Sequence, residues 1–228
     1  MTAGQWYATL GGERIISGEI IIPLYGMITV DVVLAVPDAI AQQPVIQWGN
    51  ASYQASVVRM ASYSGSRSAR LVGGFGGWGT QLEPRAWSLP GGVSMAQVLT
   101  STAAECGEKV NVPVNRTIPS YFRTGNENAS QVLFALAGPV WYVDGAGVTQ
   151  VQNRPSSTIT SQFDVLSYSG GKGLFEVGTE DPASWVPGAI FSTPVVTTPQ
   201  TISMTRLKMD RDGTVRLHVL VQDQAATA

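Results

Sequence analysis

The chain has 228 residues, a formal net charge of −2, and 13% charged against 44% hydrophobic side chains. That charged share is about half the roughly 25% of an average soluble domain; Ser, Thr, Gln, Asn and Gly cover part of the surface, and burial against other subunits would cover the rest, because interface cores are depleted in charge. No Lys/Arg block supplies the basic footprint that nucleic-acid binding needs, no apolar run approaches the ~18 residues of a membrane span, and the single Cys106 excludes an internal disulfide and a cysteine-built zinc cage.

Met1-Thr2-Ala3-Gly4-Gln5 lacks the charged and apolar segments of a signal peptide, so synthesis in the cytoplasm is expected and no membrane anchor. Residues 5–10 read as a strand ahead of the Gly11-Gly12 turn. Residues 13–22 are rich in isoleucine, which packs well on a pleated surface, and Pro23 limits that strand to an edge or an end. Residues 27–36 follow, interrupted by Pro37-Asp38. Residues 45–48 and 53–61 flank the Gly49-Asn50 turn, and residues 67–72 make a short strand before the glycines. Short strands at this spacing predict a small barrel or sandwich.

The middle of the chain has a different period. Met95, Val98, Leu99 and Ala103 fall on one helix face, with Ser94 as N-cap and Gly107 as stop. A second helix is predicted over 128–137, with Val132, Leu133 and Leu136 inward and Gly138-Pro139 ending it. A hairpin follows, residues 141–143 and 148–151 about Asp144-Gly145. Polar residues 152–160, with Pro155, read as a linker. Strands resume at 163–168, 174–177, 189–191 and 201–209. The turn 210–213 then leads into 214–221, where Val215, Leu217, Val219 and Val221 share one face, and residues 223–228 are expected to fray.

Gly74-Phe75-Gly76-Gly77-Trp78-Gly79 matches G-x-G-x-x-G in form. A dinucleotide site needs that motif to open a helix whose N-terminus holds the pyrophosphate, and here Thr80-Gln81-Leu82-Glu83-Pro84 follows, with Pro84 against a helix interior. The reading that remains is a sharply bent backbone that other chains approach closely, with Phe75 and Trp78 plugging neighbouring pockets and Gly74, Gly76 and Gly77 permitting the approach. Asp210-Arg211-Asp212-Gly213 has Lys208 at the first ligand position of a calcium loop, so a hairpin turn is favoured. His218 lies in an alternating strand, and no Gly-x-Ser-x-Gly elbow occurs. Carboxylates such as Glu176, Glu180 and Asp181 lie close in sequence and are candidates for a glycosidase-like pair, but they sit among Gly, Thr and Pro, as a solvated loop would. No enzyme, cofactor or metal is expected. Trp78, Trp87, Trp141, Trp185, Tyr25 and Tyr63 would serve sugar stacking or core packing, which sequence alone does not separate.

Three segments in order resemble the central hub proteins of phage tails and baseplates, the late-control-like hubs of siphophages and Mu-like phages. The first is Arg70-Leu71-Val72-Gly73-Gly74-Phe75-Gly76-Gly77-Trp78-Gly79, followed by a helix ending Thr102-Ala103-Ala104-Glu105-Cys106-Gly107-Glu108, with Cys106 where Ala is common. The second is residues 130–143 with the Asp144-Gly145 hairpin. The third is Val186-Pro187-Gly188-Ala189-Ile190 and a hairpin ending Arg216-Leu217-His218-Val219. The resemblance spans most of residues 15–222. It implies a β-rich α+β fold of small tube-like β-barrels at the N- and C-terminal ends with an inserted α/β segment. The division expected is an N-terminal barrel over 1–75, the insert over 76–155, and a C-terminal barrel, or the remainder of a composite one, over 156–222. It further implies a homotrimeric ring in the virion, between a tail tube or distal tail protein and a spike or fibre protein, with a channel for DNA. The alternatives are a distal-tail or carbohydrate-binding receptor module and, behind it, a tail-associated hydrolase.

Overall fold

The computed structural model describes residues 8–35, 40–63, 65–211 and 214–221. The start of the expected first strand, Pro37-Asp38, Asp212-Gly213 and the terminal tail lie outside the described residues.

The first strands are β1 (Ala8–Leu10), β2 (Glu13–Pro23), β3 (Thr29–Leu34), β4 (Val45–Trp48), β5 (Ala51–Tyr63) and β6 (Ser66–Gly73). Their period-2 pattern sets the faces: Val30, Val32 and Leu34 of β3, and Ile46 and Trp48 of β4, are buried, while Thr29, Asp31 and Gln47 are exposed. Pairing runs β1-β4-β5-β6-β3-β2, and β1 also pairs with β2, which closes a six-stranded barrel.

Residues 77–151 then leave the barrel and build a second unit around their own core. It holds β7 (Arg85–Ser94), α1 (Met95–Cys106), β8 (Val110–Asn111), β9 (Thr117–Arg123), α2 (Ala129–Ala137), β10 (Tyr142–Val143) and β11 (Thr149–Gln150). Val98, Leu99 and Ala103 of α1 meet Val132, Leu133 and Leu136 of α2 in that core. Both helices start on a side-chain cap, with Ser94 Oγ accepting from the Gln97 amide and Asn128 completing a reciprocal capping box with Gln131. Glu105 of α1 ties down the β7–β9 ribbon. It accepts from Arg123 at 2.5 Å and also from Arg85, while both guanidinium groups lie over the Trp87 ring at 5.4 and 5.0 Å.

The chain returns through β12 (Ser157–Thr158), β13 (Phe163–Ser169), β14 (Leu174–Thr179), β15 (Ala189–Thr193), β16 (Val196–Met209) and β17 (Val215–Val221). β2 joins the two strand-rich ends. One of its edges pairs with β3; the other takes β1 at Glu13 and Arg14, then β16 from Gly18 to Pro23. The sheet therefore continues β5-β6-β3-β2-β16-β17-β14-β13 without a break. One core runs beneath it, from Leu10 and Ile20 to an aromatic cluster in which Phe191 meets Trp185, Phe175 and Phe163 at centroid distances of 5.2, 5.2 and 6.0 Å. The expected linker over 152–160 is docked: Ile159 is buried, and Arg154 donates to the Leu24 carbonyl at 3.0 Å and lies 4.1 Å from the Tyr142 ring centroid.

Candidate functional site

The glycine run 73–79 sits where the barrel hands over to the helical unit, and its backbone grips a carboxylate. β6 ends at Gly73, whose amide donates to the Ile28 carbonyl at 2.8 Å. Gly76 has φ +84°, a region costly to residues with a Cβ, and this turns successive N–H groups toward one point. Glu108 occupies that point. Its Oε1 accepts from the Gly77 amide at 2.6 Å and its Oε2 from the Phe75 amide at 3.2 Å. Glu108 is 6% exposed, so a buried charge is matched by backbone donors.

The other side of this corner comes from the end of α1. Gly107 adopts the left-handed conformation at φ +76° and closes the helix, turning the chain so that Glu108 points back into the glycines. Gly77 packs against the same corner so closely that a Cβ there would lie 1.9 Å from the Cys106 carbonyl oxygen. An anion-binding backbone arrangement is present, as the G-x-G-x-x-G pattern implies, but the chain supplies its own anion. A short 3-10 turn, Gly77–Gly79, follows where a nucleotide site would need a full helix.

Burial pushes the Glu108 carboxyl above its ordinary value of 4.5, while the amides of Phe75, Gly77, Trp78 and Gly76 pull it down without cancelling that rise. Native protein therefore holds this proton to a higher pH than unfolded chain does. Its contribution to stability is full below 4.5 and is lost as pH rises through the raised value. Glu108→Gln turns an amide NH2 toward one of the backbone donors and should cost about 1–3 kcal/mol. Urea melts of both proteins across pH should show the wild-type advantage growing toward mild acidity; a pH-independent difference would remove the titrating role.

Cys106, next to this corner, donates its Sγ–H to the Ala103 carbonyl at 3.4 Å, and burial raises its thiol to about 11. It should stay protonated and react slowly with iodoacetamide at neutral pH in native protein, and readily after unfolding. Fast native labelling would contradict this.

The five residues expected to contact another subunit separate here. Trp78 is 1% exposed, packs in the second core, and donates its Nε1–H to Thr149 Oγ1 at 2.9 Å. That corrects the reading of Trp78 as a plug for a neighbouring pocket, because its ring fills a pocket of its own chain. Gly74 and Gly77 are buried and Gly76 is exposed. Phe75 is half-buried, with Lys109 Nζ 4.6 Å from its ring centroid, and remains the ring of this run that reaches the surface. Glu108 was not singled out by residue type; its signal was the recurrence of a glycine run ahead of a helix ending in Gly-Glu.

Other candidates disperse. Trp87 and Trp185 are buried, Trp141 packs partly buried against the second core, and Tyr25 donates its hydroxyl to Asn153 at 2.6 Å. Glu176 lies opposite His218 on the outer sheet face and accepts from Ser167 Oγ at 3.1 Å, whereas Asp181 accepts from Asn50 at 3.1 Å. The structure thus gives no shared cleft to Glu176 and Asp181 among the described residues.

No protein-family model and no curated protein matches the sequence. The fold, in contrast, has solved counterparts. A component of the type VI secretion system of Escherichia coli, described as structurally similar to the T4 bacteriophage tail proteins gp27 and gp5, superposes with a TM-score of 0.66 at 10% identity, covering 95% of this chain and 77% of that one. The 43 kDa tail protein of prophage MuSo2 from Shewanella oneidensis gives 0.64 at 12% identity, with coverages of 95% and 97%. A tail protein from Neisseria meningitidis MC58 gives 0.63 at 13% identity, with 96% of each chain covered. The chain has the fold of these tail proteins. The β-rich α+β architecture with an inserted α/β segment, expected from the sequence, is the one observed.

Proposed function

We propose that this chain is a structural component of a bacteriophage tail or baseplate, a hub that forms a homotrimeric ring between a tail tube or distal tail protein and a spike or fibre protein, located in the virion and leaving a channel for DNA. The observation that carries this reading is a fold shared over at least 95% of the chain with two tail proteins and a secretion component likened to tail proteins. The sheet supports it physically. It is continuous from β5 to β13, closed into the barrel through β4 at one end and ending on the singly paired strand β13 at the other, so its two ends present different surfaces, and a ring is built from contacts between two different patches. Phe75 is the proposed aromatic contact at the corner of the run, and Gly74, Gly76 and Gly77 shape that corner. The division into a barrel over 1–75, an insert over 76–155 and a closing unit over 156–222 is proposed as the mechanical plan, with β2 shared between the strand-rich parts. The density of an intact particle tests the assignment directly. A ring of three copies at the end of the tail tube is expected; a monomer in assembled tails, or density outside the tail, would defeat it.

A further inference from the structure

A groove of about 690 Å³ opens on the helical unit, between the start of α1, the end of α2, the segment leading into β9 and residues 151–153. Buried Met95, Leu136 and Val151 line it together with the more exposed Val114 and Val140. Val114 is 73% exposed. Arg116 is the one charged side chain among the lining residues, and no carboxylate lines the groove. Its guanidinium is held there by two contacts, from Nε to Met95 Sδ at 3.3 Å and from Nη2 to the Leu136 carbonyl at 2.8 Å. It makes no ion pair among the described residues.

The strand β13, at the end of the sheet, carries the complementary groups. Phe163 and Val165 pack against the main core, so Asp164 between them points to the outer face. The register shifts at Leu166, and bulges re-aim side chains. Leu166 lies over Gly178, the residue paired with Asp164: a Cβ at Gly178 would be 3.6 Å from the Leu166 Cδ1. An exposed leucine and an exposed aspartate therefore share one face of this strand. Leu166 is 63% exposed, and it and Val114 are the two most exposed large aliphatic side chains among the described residues. Asp164 makes no ion pair or side-chain hydrogen bond among the described residues. There, too, β13 pairs only with β14, and no strand covers its other edge.

Resting on the ring reading above, we propose that the β13 edge of one copy of this chain docks in this groove of the next, with Leu166 seated among Val114, Val140 and Val151 and Asp164 facing Arg116. Burial removes two aliphatic side chains from water, and the carboxylate gives the groove's cation its counter-charge. The spacing fits this contact. Aspartate and leucine stand two positions apart on β13, and valine and arginine two positions apart on the groove, so an antiparallel approach matches both pairs at once. The cation and the anion, each without an ionic partner in its own chain, identify the occupant as a second copy. Each chain holds both halves of the contact on different patches, as a head-to-tail ring requires.

In a Cys106→Ser background, full-length protein carrying Val114→Cys and Leu166→Cys should form disulfide-linked oligomers on mild oxidation, seen as multi-chain bands on denaturing gels. Val58→Cys in place of Leu166→Cys is the matched control, because Val58 is 60% exposed but lies on β5, and it should not link. Independently, Asp164→Arg or Arg116→Asp alone should weaken self-association by roughly fivefold or more in sedimentation, and the two together should restore it. Arg116 also holds the end of α2, so thermal melts accompany each variant; a folding defect would not be mended by Asp164→Arg. The cysteine pair keeps Arg116 and decides the matter if Arg116→Asp unfolds. Oligomers that form without the 114–166 link and ignore the charge swap would overturn this contact and leave the ring reading standing. A chain that stays monomeric at every concentration and in assembled tails would overturn both.

Discussion

Gly77→Ala should unfold the junction between the barrel and the helical unit. The added Cβ would lie 1.9 Å from the Cys106 carbonyl oxygen and 2.8 Å from its carbonyl carbon, far inside van der Waals distance. Both obstacles are backbone, held by the end of α1 and by the Gly107 turn, so neither can swing aside as a side chain would. Relief requires moving the helix end, which would also withdraw Glu108 from the Gly77 and Phe75 amides and leave buried donors and a buried carboxylate unmatched. Overpacking alone costs about 1–3 kcal/mol; with the carboxylate also pulled away from its amide donors, the total is expected above about 3 kcal/mol. Gly79→Ala is the matched control. A Cβ there meets nothing within 4 Å, and the change should stay within about 0.5 kcal/mol. Thermal melts of the two variants should differ sharply. Equal Tm values would mean that the corner is loose and that the hydrogen bonds to Glu108 add little.

Much of this fold was legible because the relevant interactions are local or periodic. The Ser94 and Asn128 caps mark the helix starts, and alternation in residues 29–34 and 215–221 marks strands that bury one face. β7 escaped sequence reading because Leu89-Pro90-Gly91-Gly92 looks like a turn. In the structure these residues form an excursion between the Ser88–Ser120 and Val93–Ile118 pairs of one ribbon. β9 escaped for a similar reason, since Pro119 lies within it. The sharing of β2 was hidden because its run of isoleucines reports burial but not which strand lies along each edge. The glycine run illustrates the same limit at the site. Its composition signals bent backbone and close approach, but the approaching group is set by long-range packing. Glu108 lies more than thirty positions from the amides it binds. Sequence pointed to a neighbouring chain, and the structure places the chain's own α1 there.

Trp78→Ala separates packing within the chain from packing between chains. If the ring served a neighbouring subunit, its removal would leave the single chain as stable as before and weaken assembly. The structure requires the opposite order of effects. Trp78 is 1% exposed and packs in the core that holds α1 and α2, and its indole N–H satisfies Thr149 Oγ1, itself buried. Truncation leaves a ring-sized void and an orphaned hydroxyl, which together should cost about 3–5 kcal/mol. Trp78→Phe keeps most of the volume and removes the hydrogen bond, so it should fall between the two, nearer wild type. Any assembly defect in Trp78→Ala should therefore appear only where the chain has begun to unfold, and should vanish when temperature is lowered well below its reduced Tm. Phe75→Ala should behave in the reverse way, because that ring is half-buried at the surface of the same corner. Its melting temperature should move little while association with its proposed neighbours weakens. Folded, assembly-defective Trp78→Ala would return that ring to an interface; loss of stability first would leave Phe75 as the aromatic side chain of this run free to meet another chain.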